Sequence, residues 1–288
     1  MNRKLSVLII FLALIIGTAL VVRKTTLRSL EKSFLPGISA EAVRSITIRR
    51  NNESLLMERS DHLWRLKKPV DIPVRQDKIR EFLNKIENMC IGPVISTQSE
   101  KMQKFEVDEK AGVQLTLSAK EKSYTVILGK STADFRGLYI RFPEEQKVYM
   151  SKGLNRYYLT WRWQDWAERE IISFQPEELT RFTLTRGKRE TEFVSKDGKW
   201  SRGKEKTVEK AVPPVVSILK SLRAIDFLKP GEGQEKTHLF DMELFLKNES
   251  KKISLYRIEG SYYVQAEPGK VYYKLQKTQG QTLEKLIQ

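Results

Sequence analysis

Imidazole and thiol chemistry in this 288-residue chain rests on His62, His238 and a single cysteine, Cys90. One thiolate cannot build a zinc cluster or an intrachain disulfide. Asp61-His62 falls in an expected turn with no matching histidine in the second half of the chain, and His238 fares no better as a metal ligand or base. The paired acids Glu144-Glu145 and Glu177-Glu178 are adjacent in sequence, hence not placed by spacing alone to share a proton, and read as solvated surface. Pro143-Glu144-Glu145 reads as an acidic turn between strands, and Gly231-Glu232-Gly233 lacks the strand-to-helix setting of a phosphate loop. Counting leaves carboxylate, lysine or serine chemistry open, yet no set of unlike groups converges. No catalytic residue, cofactor or metal site is assigned, and the expectation is a protein that is not an enzyme.

The densest anomaly is aromatic. Tyr157-Tyr158-Leu159-Thr160-Trp161-Arg162-Trp163-Gln164-Asp165-Trp166 holds three of the five tryptophans. A helix running from Ser151 would put Leu154, Tyr158 and Trp161 on one face and leave Tyr157 and Trp163 pointing elsewhere. Tyr157, Trp163 and Trp166 are therefore the candidate partner contacts. The competing readings are a hydrophobic hinge packed between modules, and glycan stacking.

The elements that flank this segment repeat. An offset of 136 residues carries Trp64 onto Trp200, and brings Val43, Ile46 and Ile48 onto Leu179, Phe182 and Leu184. The same register lays Ile79, Phe82, Leu83 and Ile86 on Val215, Ile218, Leu219 and Leu222. Each half opens with alternating residues, Ile46-Thr47-Ile48 and Phe182-Thr183-Leu184, that suit a strand with one buried face. Turns at Asn51-Asn52 and Gly187-Lys188 lead to second strands, and each tryptophan closes a third. The positions 79, 82, 83 and 86 recur at helical spacing and predict a buried stripe, as do their counterparts; Trp64, Trp200, Phe82, Leu83, Ile218 and Leu219 form the expected repeat core.

The expected fold is α+β: an N-terminal transmembrane helix, then two repeated modules, each an antiparallel sheet with an amphipathic helix across it. The expected boundaries are 1–24 for a membrane anchor, 25–37 for a linker, 38–160 for the first repeat, 161–173 for the aromatic connection and 174–288 for the second repeat. A composition 40% hydrophobic, with 15 Gly and 10 Pro and no collagen period, excludes wholesale disorder and low-complexity classes.

The anchor is the uncharged run from Leu5 to Val22, eighteen residues between Arg3-Lys4 and Arg23-Lys24. At roughly 1.5 Å per residue it reaches about 27 Å, close to the hydrocarbon thickness of a bilayer. Its membrane-facing residues are Leu5, Val7, Leu8, Ile9, Ile10, Phe11, Leu12, Leu14, Ile15, Ile16, Leu20, Val21 and Val22. Gly17-Thr18-Ala19 is a candidate cleavage site, but the apolar run continues beyond it, which suits an uncleaved anchor better. The expectation is a bacterial cytoplasmic-membrane protein, single-pass, with its C-terminal domains on the extracytoplasmic side.

Charge narrows the partners. The net charge is +16, and residues 38–160 and 174–288 each carry 22 basic and 16 acidic residues, so the excess is spread over both halves. This is not a basic tail of the nucleic-acid-binding type, and no nucleic acid is expected. A diffuse basic surface beside a bilayer would be drawn to anionic lipid headgroups; a solvated face that simply carries lysine is the alternative.

The order of parts, with Leu63-Trp64-Arg65-Leu66, Pro69 and Pro73, Ile127-Leu128-Gly129-Lys130, and Gly137-Leu138-Tyr139-Ile140-Arg141 before Val148-Tyr149, resembles the bacterial domain-of-unknown-function family 4340. The likeness covers most of residues 40–288. Members of that family are often encoded beside ABC-type transporters of the gliding-motility kind, which implies an accessory envelope role and supplies no catalytic residues. The expected function is a membrane-anchored, exported tandem-repeat binding protein, an accessory component of an ABC transporter or envelope complex. The alternatives are an enzyme that processes an envelope polymer and a purely structural spacer.

Overall fold

The computed structural model describes residues 14–18, 32–36, 39–120, 122–196, 198–203, 211–229, 231–233 and 235–287. The chain divides into two compact units. The first takes residues up to Leu63 together with Gln76–Trp161, and the second takes Trp64–Arg75 and Arg162–Gln288.

The strands of the first half are β1 (Lys32–Ser33), β2 (Ser45–Arg50), β3 (Glu53–Ser60), β4 (Leu63–Lys68), β5 (Ile72–Pro73), β6 (Cys90–Ser96), β7 (Val113–Ala119), β8 (Lys122–Ser131), β9 (Leu138–Arg141) and β10 (Val148–Lys152). In the first unit they lie in the order β1-β6-β10-β9-β8-β7-β2-β3, and neighbours run antiparallel. Alternation sets the register. Ile46 and Ile48 of β2 stand opposite Met57 and Leu55 on one side and Leu117 and Leu115 on the other, and all are buried. Asn51 takes the left-handed conformation, φ 51°, that a tight β2–β3 hairpin requires. This unit includes α1 (Gln76–Glu87) and the single turn α2 (Met102–Phe105). Ile79, Phe82, Leu83 and Ile86 make the buried stripe of α1.

One part of this unit is locked by close backbone approach. A Cβ on Gly137 would stand 1.7 Å from the Ser151 carbonyl oxygen, and one on Gly129 would stand 2.3 Å from that of Phe105. The side chains around Gly137 are buried and paired: its N–H donates to Thr132 Oγ1 at 3.1 Å, and Ser151 Oγ donates to the Leu138 carbonyl at 2.9 Å. Among the described residues Arg141, also buried, donates to main-chain carbonyls: Nε to Val107 at 3.0 Å, and Nη1 to Pro143 at 3.1 Å and Glu145 at 3.3 Å. The guanidinium thus satisfies carbonyls of two loops from one strand position.

The second unit contains α3 (Trp163–Trp166), α4 (Val212–Leu219) and α5 (Lys277–Glu284). Its strands are β11 (Glu170–Ser173), β12 (Leu179–Arg186), β13 (Arg189–Lys196), β14 (Lys199–Arg202), β15 (Ser221–Arg223), β16 (Asp226–Phe227), β17 (Lys236–Leu246), β18 (Ser250–Ile258), β19 (Ser261–Ala266) and β20 (Tyr272–Lys274). β11 pairs with β15, and an eight-stranded sheet runs in the order β14-β13-β12-β17-β18-β19-β20-β16. Phe182 and Leu184 of β12 face Leu244 and Met242 of β17, and Phe182 stacks on Phe193 at 4.6 Å and lies 5.4 Å from Trp200. β4 and β5 pair through Leu66 and Ile72, both buried, and a bridge joins Val74 to Ala167.

These facts correct the expected fold class. Among the described residues strand accounts for 47% against 23% helix, so the architecture is mostly antiparallel sheet, and these residues do not show a membrane helix followed by modules with a helix across each sheet. The physical reason is that strands far outnumber helices and, in the second unit, also outrun them. β17 has 11 residues and β18 has 9, whereas α4 and α5 have 8 each. The stripe expected at 215, 218, 219 and 222 also stops a turn early: Leu222 is buried on β15, past the end of α4. Of the expected anchor, Leu14, Ile15 and Ile16 are helical and exposed, while Leu5, Val7, Leu8, Ile9, Ile10, Phe11, Leu12, Leu20, Val21 and Val22 lie outside the described residues. Among the described residues no helix is long and apolar enough to cross a membrane.

Candidate functional site

The aromatic segment does not form the continuous helix expected from Ser151. It folds as a 3-10 turn, Arg156–Leu159, followed after Arg162 by the single turn α3. The break divides its aromatic residues between two environments. Trp163 is 8% exposed and lies 5.2 Å from Phe227, and Trp166 is fully buried. Both are packing residues of the second unit and offer no free face. Tyr157, in the first unit, is 63% exposed.

Local hydrogen bonds hold Tyr157 in place. Its N–H donates to Asn155 Oδ1 at 2.8 Å, and its carbonyl accepts from Thr160 Oγ1 at 2.8 Å. Two residues on, Arg50 Nη1 donates to the Leu159 carbonyl at 3.0 Å, and Arg156 pairs with Glu106. The Tyr157 ring stands edge-on to Trp161, with centroids 5.3 Å apart, and 6.0 Å from Tyr158. α1 supports this group from below: Lys78 Nζ lies 4.3 Å from the Trp161 ring centroid, Tyr158 donates to Glu81 Oε1 at 2.5 Å, and Phe82 lies 5.9 Å from Tyr158. An exposed aromatic ring on an ordered aromatic base, its backbone already hydrogen-bonded, loses little conformational freedom on binding and fits a protein contact.

The hydrogen bond to Glu81, followed by burial, pushes the Tyr158 phenol up to about 12. A raised pKa means that the folded state holds the proton more tightly than the unfolded chain, so the stabilisation is complete below pH 10 and is lost as pH rises through about 12. Tyr158→Phe is expected to remove that alkaline loss and to lower stability at neutral pH by about 1 kcal/mol or less, because the pair is solvent-exposed. Urea unfolding midpoints taken across the alkaline range check both outcomes.

The other chemistry-bearing residues do not assemble a catalytic constellation among the described residues. His238 Nε2 meets Asp241 Oδ1 at 2.8 Å, and Ser254 Oγ donates to the same oxygen at 2.5 Å. The carboxylate is the hub: histidine and serine share one of its oxygens and make no bond to each other that would form a base–nucleophile relay. His62 is exposed on the β3–β4 turn, and Cys90 is half-buried on β6. Glu145 accepts from Tyr149, which raises that phenol to about 12, and Glu178 accepts from the Gln175 N–H.

Of the residues expected in the repeat core, Trp64, Trp200, Phe82, Leu83 and Leu219 are buried and Ile218 is half-buried. Sequence reasoning missed Lys78 and Glu81, whose only local signal is their place on α1 beside the apolar stripe, and Phe135, 76% exposed at the β8–β9 hairpin.

The family model described as Domain of unknown function (DUF4340) matches residues 64–243. The chain belongs to this family. The matched span contains Gly129, Gly137 and Arg141, whose close approaches and carbonyl contacts lock the first unit. No curated protein and no solved structure matches the chain.

Proposed function

We infer that this protein is a non-enzymatic binding component of the bacterial envelope, held at the cytoplasmic membrane, which engages a protein of an ABC transporter or related complex. The observation that carries the reading is Tyr157: a large aromatic ring, 63% exposed, on an ordered aromatic base. Binding hot spots are built from such rings. The uncharged apolar segment from Leu5 to Val22 supports attachment to the membrane, and the proposal places the folded units on the extracytoplasmic side.

Tyr157→Ser tests the contact without disturbing the core, since the ring is mostly in solvent. Its expected effect is loss of about 2 kcal/mol of association, roughly thirtyfold in affinity. Quantitative capture from native membranes measures it: the tagged variant should recover far less of the transporter or envelope protein that the parent chain recovers. Equal recovery would remove Tyr157 from the account.

A further inference from the structure

The second unit carries a groove of about 580 Å³, a size typical of ligand sites, formed by the β4–β5 turn, the segment that follows β16 and the turn before β20. Arg65, Lys229, Lys236 and Lys270 line it, against the carboxylates of Asp71 and Glu232. Both carboxylates are already occupied. Arg65 Nε and Lys67 Nζ reach Asp71 at 2.8 and 2.9 Å, and Lys229 Nζ lies 3.3 Å from Glu232. Burial works against the ionised Asp71, but the hydrogen bonds from Lys67 and Arg65 outweigh it and hold the carboxyl below its usual range. Lys236 lies 4.4 Å from the Tyr272 ring centroid, and among the described residues neither Lys236 nor Lys270 has a carboxylate partner.

We propose that this groove binds an acidic peptide segment in extended conformation, whose carboxylates meet Lys236 and Lys270 while its apolar side chains rest on Val70, Leu228 and Val271. Charge complementarity supplies the first half of the argument, because the cations left free of carboxylates face an opening that also has apolar walls. They come from separate segments round the groove, which suits a ligand with spaced charges better than one compact anion. The state of Tyr272 decides against a sugar ligand: Lys236 lies over its ring and Tyr256 packs against it edge-on, with centroids 5.1 Å apart, so the ring is engaged where a pyranose would stack. The groove lies in the second unit and Tyr157 in the first, so this proposal stands or falls independently of the Tyr157 contact.

Fluorescence anisotropy with the full chain in detergent tests it, using a labelled peptide of alternating Glu and Val about ten residues long. The expected result is saturable binding that weakens with added salt, that is lost when Gln replaces Glu in the peptide, and that falls about tenfold or more in a Lys236→Glu, Lys270→Glu variant. Both lysines are exposed, so an unchanged thermal melt shows that the variant is folded. Tyr157→Ser should leave this binding unchanged. No binding, equal binding of the Gln peptide, indifference to the double charge reversal, or binding of oligogalacturonate in place of the peptide would each overturn the proposal.

Discussion

Gly137→Ala is expected to destabilise the first unit by about 3 kcal/mol or more, a large loss for one methyl group. The added Cβ would stand 1.7 Å from the Ser151 carbonyl oxygen and 2.6 Å from its carbonyl carbon. These are backbone atoms, so no side-chain rotamer can relieve the clash; β9 and β10 must move apart. That movement would also strain the pairs that hold the strand ends, Gly137 N–H to Thr132 Oγ1 and Ser151 Oγ to the Leu138 carbonyl. Urea unfolding should show a lower midpoint, and hydrogen exchange should show faster amides along β9 and β10. An unchanged midpoint would mean that the two strands do not approach so closely.

Arg141→Met is the second large effect, at about 3 kcal/mol. Methionine fills much of the same volume but supplies no donors. The carbonyls of Val107, Pro143 and Glu145 would then lose a charged partner inside the protein. Lysine should not rescue the variant, because a single ammonium cannot reproduce a guanidinium that donates from Nε and Nη1 in different directions. The same unfolding measurement checks both replacements. Full rescue by lysine would show that charge, and not the directed donors, is what the position supplies.

Both residues lie in a motif that the sequence displays but does not explain. Gly137-Leu138-Tyr139-Ile140-Arg141 marks a strand by its alternation, whereas the demand for glycine comes from Ser151 and that for arginine from Val107 and the loop after the strand. Periodicity reports which face of an element is buried and nothing about which backbone passes nearby. It therefore located the β2–β3 and β12–β13 hairpins, turned at Asn51 and Gly187 with φ of 51° and 58°, and the stripe of α1. It overran α4, where Leu222 continues an apolar spacing that strand β15 fulfils equally well.

The same limit governs the site. Trp163, and Trp166 with it, looked available because a helix continued from Ser151 would turn Trp163 away from the face that carries Leu154, Tyr158 and Trp161. α3 is one turn long, and the Trp166 carbonyl accepts the Arg75 N–H at 2.9 Å, a contact between residues far apart in the chain that no local pattern encodes. Residues 64–75 likewise carry an ordinary strand pair by pattern, yet they pack with the unit that begins again at Arg162. Tyr157 stays in solvent because the 3-10 turn rotates it away from the core that its neighbour Leu159 enters.

The central claim, that this protein works by binding a partner through the Tyr157 platform, is tested most directly by site-specific photocrosslinking in native membranes. A photoreactive phenylalanine analogue would be placed at Tyr157, and in a parallel chain at Phe135, which is 76% exposed on the β8–β9 hairpin of the same unit. The account predicts a discrete adduct with a transporter or envelope protein from position 157 and none, or far less, from position 135. Adducts from 135 alone, or an equal smear from both, would contradict it.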